Sequence, residues 1–268
     1  MSGTDRAADW WATGITDIAP GSIRLRGYAI QDLIGSVSFS ELVWLMVRGE
    51  LPTSAEAELL ELTLVAAVDH GPQAPSIAAA RMAASCGLDL NNAMATGVNL
   101  LGDVHGGAGQ QCLEVLHQLR ATTDDGVAPE QAARDLVADH KARKAFVPGF
   151  GHRFHPRDPR RDPLIGAVRQ AAEAGTVSGE YLRLALALEE VLAEGTKPVP
   201  MNVDGATATI HAELGFAPEL ARGLFVLSRS VGLLAHSWEQ RNEPTRIKGP
   251  LPKSVIPTYT GPPPRDLP

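Results

Sequence analysis

Apolar positions recur at intervals of three and four over most of the chain, and Gly or Pro interrupts the pattern at roughly ten- to twenty-residue intervals. One start signal is explicit: Thr53 and Glu56 have the spacing of a capping box, in which each side chain satisfies a backbone N–H at the other's position. Leu59, Leu60, Val65 and Val68 then follow along the predicted helix, which Gly71 and Pro72 stop. Further helices are predicted over 76–86, 88–101, 108–119, 129–143, 163–174, 179–193, 206–214 and 218–241. Strand patterning is confined to an alternating stretch at 22–30, so the fold class is all-α. Several helices are rich in Ala, Gly and Ser, which lets axes approach closely and suits a bundle that buries whole helices. From Pro250 onward recurrent prolines prevent helix and predict an extended tail lying on the body or on a partner.

A chain of 268 residues can fold as one large domain with a smaller lobe inserted in it. No run reaches the roughly 18 apolar residues of a membrane span, and the first residues lack the basic-then-apolar pattern of a signal peptide, so a cytoplasmic, non-membrane protein is expected. The net charge of −7 argues against nucleic acid as a partner. Cys86 and Cys112 fall in apolar helical patterns and read as buried thiols.

The informative places are the breaks between helices. In Asp103-Val104-His105-Gly106-Gly107, a histidine precedes two glycines at a predicted helix start, where the positive helix end favours a neutral imidazole able to donate to an oxygen acquiring charge. On its own the segment reads equally well as a capping histidine. Pro148-Gly149-Phe150-Gly151-His152-Arg153, followed by His155, Arg157, Arg160 and Arg161, is the densest positive patch. Its arginines suit carboxylates or phosphates. The alternative is a solvated loop; a metal site on His152 and His155 lacks a third ligand at recognisable spacing, so no metal is expected. In Asn202-Val203-Asp204-Gly205 an aspartate stands just before a predicted helix, as a bare N-cap or as a carboxylate base. His70 reads as a cation closing a helix, and His211 and His236 as helix-face residues.

Taken together and in this order, His105-Gly-Gly-Ala, Gly149-Phe-Gly-His152-Arg153 with Asp158-Pro-Arg160, Asn202-Val-Asp204, and Arg229 before Gly232 and Ala235-His236 resemble the citrate synthases over residues 14–250. Arg26-Gly27-Tyr28 and Gly49-Glu50-Leu51-Pro52 resemble that family's opening element. Asp69-His70-Gly71-Pro72 and Asn202-Val203-Asp204-Gly205 look more like stand-alone citryl-CoA lyases and the citryl-CoA-cleaving module of ATP-citrate lyase.

The resemblance implies an all-helical homodimer or higher homo-oligomer acting on acyl-coenzyme A. Residues 1–107 and 215–268 would form the large domain, and 108–214 a lobe closing over the coenzyme. It implies that Asp204 moves a proton at the acetyl methyl, that His105 hydrogen-bonds the thioester oxygen, and that His152 polarises the oxaloacetate ketone. In the reverse direction His152 would take the citryl hydroxyl proton. His70, Arg160 and Arg229 would hold carboxylates, and Pro148, Gly149, Gly151, Lys197 and Asn202 the coenzyme. The expected reaction is cleavage of citryl-CoA to acetyl-CoA and oxaloacetate, with citrate or 2-methylcitrate synthesis and an inactive coenzyme A-binding dimer as the alternatives. The absence of an N-terminal extension leans towards a lyase. Two departures stand out: Gly249-Pro250 occupies the place of an arginine-proline pair, with Arg246 or Lys248 as the substitute, and Arg160 follows His152 by eight residues, one fewer than in typical synthases.

Overall fold

Three short antiparallel strands open the chain: β1 (Thr16–Ala19), β2 (Ser22–Leu25) and β3 (Tyr28–Ala29), in the order β1-β2-β3 with Ile18 opposite Ile23. The computed structural model describes residues 9–195, 197–247, 254–255 and 258–266. The sheet carries one strand more than the alternation at 22–30 predicts, because Gly21, at φ 78°, turns the chain back on the preceding four residues. Everything that follows is helical: α1 (Ile30–Leu33), α2 (Phe39–Arg48), α3 (Ser54–Ala66), α4 (Pro75–Ser85), α5 (Leu90–Val98), α6 (Ala108–Asp124), α7 (Pro129–Ala142), α8 (Arg161–Glu173), α9 (Glu180–Ala193), α10 (Val203–Glu213) and α11 (Pro218–Asn242). None of the described helices is long and apolar enough to cross a membrane.

The chain divides into two compact units, Met1–Val68 with Gly102–Arg229, and Asp69–Leu101 with Ser230–Pro268. The lobe expected over 108–214 lies inside the first unit, which also takes in the strands and α1 to α3. At the centre of that unit is α10, whose residues from Gly205 to Ala212 are all buried and which packs against α3, α6, α8 and α9. Leu113, Leu116, Leu188, Met201 and Ile210 are fully buried around it. Each such side chain contributes on the order of 1.5–3 kcal/mol by leaving water. The second unit has a smaller core of Ile77, Ala80 and Leu233, backed by Met94 and Val98. Its helices meet at Gly97, where an added Cβ would collide with Leu233 Cδ2 and lie 2.8 Å from the Ser76 carbonyl.

The Thr53–Glu56 capping box is present, with Thr53 N–H donating to Glu56 Oε2 at 2.8 Å. Ser38 and Glu41 make a second one that starts α2, a helix absent from the sequence reading. Three other expectations are corrected. Helix α3 ends at Ala66, so Val68 lies beyond it, Val65 is exposed, and His70 stands in the following loop rather than in a last turn. Cys86 is exposed because it caps the end of α4, where the chain turns at Gly87, whereas Cys112 is buried. Helix α10 starts three residues before the predicted 206. The described tail residues beyond 254 are exposed and form neither helix nor strand; Lys248, Gly249 and Pro250 lie outside the described residues.

Candidate active site

The first turn of α10 is built from both sides. Asn202 is its N-cap: the side-chain oxygen accepts from the N–H groups of Asp204 (2.9 Å) and Gly205 (3.3 Å), and Nδ2 donates to the Gly151 carbonyl at 2.6 Å. Asp204 is therefore not a cap but the second residue of the helix, which frees its carboxylate from backbone duty. Around it the chain closes tightly. Asn202 N–H donates to the Gly149 carbonyl at 3.0 Å, Gly151 N–H to the Pro200 carbonyl at 2.7 Å, and Phe150 and Met201 form a bridge. Gly149 adopts φ 84°, and a Cβ there would lie 2.5 Å from Cys112 Sγ and 2.8 Å from Gly205 Cα. Only glycine fits both the left-handed backbone and the space.

This knitting holds the 149–151 segment, which leads into His152, against the start of α10. Nδ1 of His152 accepts from the backbone N–H groups of Phe154 and His155, both at 3.0 Å. An imidazole nitrogen that accepts carries no proton, so the ring proton sits on Nε2, which is a donor. Gly109, the second residue of α6, lies beside the carboxylate: a methyl placed there would be in ordinary contact, 3.8 Å from Asp204 Oδ1. Burial pushes the Asp204 carboxyl above its ordinary range, reinforced by Asp158 and opposed by the guanidinium groups of Arg160 and Arg229. His105 shifts the other way: burial first, then Arg229, lower its pKa and hold the imidazole neutral. Burial, rather than the helix end, is the leading cause of that shift. The structure thus gathers His105, His152, Asp204, Arg160 and Arg229 in the first unit. His70 belongs to the second unit and is exposed.

The two arginines are anchored. Arg229 is buried, donates from Nε to the Ala67 carbonyl at 3.1 Å and lies 4.9 Å over the Phe225 ring. Arg160 grips Asp158 in a fork, Nε to Oδ1 at 2.9 Å and Nη2 to Oδ2 at 2.8 Å, and Nη1 reaches the Ala66 carbonyl at 3.4 Å. The rest of the positive patch is largely internally compensated, Arg157 on Asp162 and Arg161 on Asp162 and Glu189. Lys197 is exposed. Among the described residues no cluster of three or more His, Cys, Asp or Glu side chains offers a metal site.

Comparison with known proteins places this arrangement. The family model for the citrate synthase C-terminal domain matches residues 6–59 and 52–250. The chain belongs to the citrate synthase family. A solved citryl-CoA lyase from Hydrogenobacter thermophilus superposes with a TM-score of 0.83 at 34% identity, over 96% of this chain and 97% of that one. The citrate synthase of Haloferax volcanii is 31% identical over 205 residues, 76% of this chain and 52% of that protein. ATP-citrate synthase subunit 1 of Sordaria macrospora is 29% identical over 245 residues, 85% of this chain and 35% of that protein. The chain therefore spans about half the length of the first relative and about a third of the second.

Two residues the sequence reading left without a role shape this candidate site. Asp158 is 1% exposed; besides Arg160 it accepts from Val203 N–H at 3.0 Å, satisfying an orphan donor of the helix that carries Asp204. Burial opposes ionisation, but Arg160 and the Val203 N–H outweigh it, and the carboxyl falls to about 2. Glu189 accepts from Met201 N–H at 2.8 Å and pairs with Arg161, fixing the segment ahead of Asn202. The signal for Asp158 was its place two residues before an arginine, a spacing that permits a local fork.

Proposed function

We propose that this chain cleaves citryl-CoA to acetyl-CoA and oxaloacetate by a retro-Claisen reaction. The observation that carries the reading is the opposed pair of shifts in one unit: the Asp204 carboxyl raised and the His105 imidazole lowered, both by burial. A carboxylate raised by burial is a stronger base, and an imidazole kept neutral by burial can donate a hydrogen bond, the two roles that proton exchange at a carbon acid calls for. Asp204 exchanges the proton at the acetyl methyl, and neutral His105 donates to the thioester oxygen as the enol forms. A preorganised donor aimed at a developing oxyanion is worth about 10²–10³ in rate. His152 serves the keto oxygen of the oxo acid, and Arg160 and Arg229 its carboxylates. Pro148, Gly149, Gly151 and Lys197 contact the coenzyme, with Asn202 holding their loop, and residues 108–214 act as the coenzyme lobe. His70 is assigned to a carboxylate on its sequence motif. The lyase direction is supported by the likeness to the Hydrogenobacter thermophilus enzyme along nearly the whole of both chains.

One observation favours the condensing direction as a second reading. With its proton on Nε2, His152 is set to donate to a ketone, as in citrate or 2-methylcitrate synthesis. Taking the hydroxyl proton of citryl-CoA needs a lone pair at Nε2, so cleavage starts only after the ring proton has moved to Nδ1 and the two backbone contacts have opened. Two assays on the purified protein separate the readings: oxaloacetate release from citryl-CoA, and free-thiol release from acetyl-CoA plus oxaloacetate. Fast cleavage with negligible thiol release is expected. Appreciable thiol release identifies a synthase, and silence in both refutes the assignment to these substrates.

A further inference from the structure

The sequence reading gave His236 no chemistry, yet it stands within a cluster of charged side chains in the second unit. His236, on α11, is mostly buried and faces three groups, one of them Glu239, whose Oε2 lies 3.8 Å from Nδ1. Its Nδ1 lies 3.2 Å from Arg81 Nη1 on α4, and its Nε2 lies 3.2 Å from Asp69 Oδ1. Arginine has only donors, so Nδ1 accepts from Arg81 and the ring proton sits on Nε2, where Asp69 Oδ1 is within ion-pair distance. Arg81 is held in turn by Glu239 and by Glu243 Oε1, the latter at 3.1 Å. At the other end, Asp69 Oδ2 accepts from Gly71 N–H at 3.0 Å, and Gly71 adopts φ 83°. Asp69 Oδ1 is buried and has no better partner than the imidazole among the described residues. The aspartate therefore relies on His236, and exposed His70 stands between Asp69 and the Gly71 that it holds.

We infer that His236 is a positioning residue: through Asp69 it sets the backbone of the 69–71 turn and thereby the direction of His70. An unoriented Asp69 would lose its counterpart to the buried oxygen and with it the turn. The inference rests on the proposed role of His70 at a substrate carboxylate, and predicts a binding defect rather than a chemical one. His236→Ala is expected to raise KM for citryl-CoA about tenfold while kcat stays within about threefold, since a ligand held in ground and transition state alike affects binding alone. His236→Gln, whose amide N–H can replace the Nε2 donor, is expected to restore most of the loss. An unchanged KM, a fall in kcat equal to the rise in KM, or failure of the glutamine variant to rescue KM overturns the inference. Amide hydrogen exchange over residues 69–72, measured without ligand, tests the structural half separately. Faster exchange in His236→Ala, reversed in His236→Gln, upholds the turn even if wild-type protein cleaves no citryl-CoA, an outcome that would instead sink the functional reading. Unchanged exchange overturns the positioning claim whatever the activity.

Discussion

Replacing Asp158 with asparagine removes one charge at the point where Arg160 and the first turn of α10 meet. The carboxylate receives Nε and Nη2 of Arg160 and the backbone N–H groups of Arg160 and Val203, and its side chain is shut off from solvent. Asparagine keeps one acceptor but turns an amide N–H towards the guanidinium. Removing one partner of a buried, hydrogen-bonded pair costs about 3–5 kcal/mol; because Arg160 keeps some exposure, about 2–4 kcal/mol is expected here. The pH dependence gives an independent magnitude. Going from an ordinary 3.8 to about 2 corresponds to roughly 2 kcal/mol of stability. Because the folded pKa is depressed, that stability is complete above pH 4 and is lost as pH falls towards 2, where the folded carboxylate also takes a proton. Urea unfolding at pH 7 should show the variant less stable by about 2–4 kcal/mol. The gap should shrink from pH 4 downward, with about half of the linked part gone by pH 3. A gap below about 1 kcal/mol at pH 7, or one that stays constant to pH 3, refutes the argument that this fork joins arginine and helix.

Three further outcomes follow from the same geometry. Gly149→Ala forces a side chain into left-handed backbone against Cys112 Sγ and Gly205 Cα, and should cost about 2–5 kcal/mol in urea unfolding, with Gly151→Ala, 3.1 Å from Val199 Cγ1, costing less. Asp204→Asn should leave coenzyme A affinity by calorimetry nearly intact and abolish turnover; unchanged activity would remove Asp204 from the role of base. His211, buried with Nε2 3.1 Å from Thr63 Oγ1, has its pKa lowered by burial to about 4. Between pH 6.5 and 4 the unfolded chain binds a proton that the folded one refuses, so stability should fall by up to about 3 kcal/mol across that window, and His211→Gln should flatten it.

Most helices were legible because each carries its own punctuation. Proline opens α4, α7 and α11, and the Thr53–Glu56 box opens α3. Helix α2 shows the weakness of reading by periodicity first: Ser38 and Glu41 announce it as clearly as Thr53 and Glu56 announce α3, but the ten residues between them and Gly49 are too short for a strong repeat. Strand β1 had no signal of its own. Its residues are mostly exposed, and its partner across Gly21 makes it a strand.

At the candidate site, the sequence singles out the residues but not their setting. Asn202 and Asp204 are equally good caps two residues apart, and local sequence cannot choose between them. The choice is made over a distance: the Gly149 carbonyl takes Asn202 N–H and Asp158 takes Val203 N–H, which draws the helix back to residue 203. Only then does Asp204 turn from a cap into a carboxylate that burial can raise. The same logic governs Arg160, read as a ligand for carboxylates and found with a carboxylate of the chain already in its fork. Three of its five donors serve Asp158 and Ala66. In the role proposed for Arg160, a substrate carboxylate approaches the edge that Asp158 leaves, and the aspartate sets the direction of binding as much as the arginine supplies its charge.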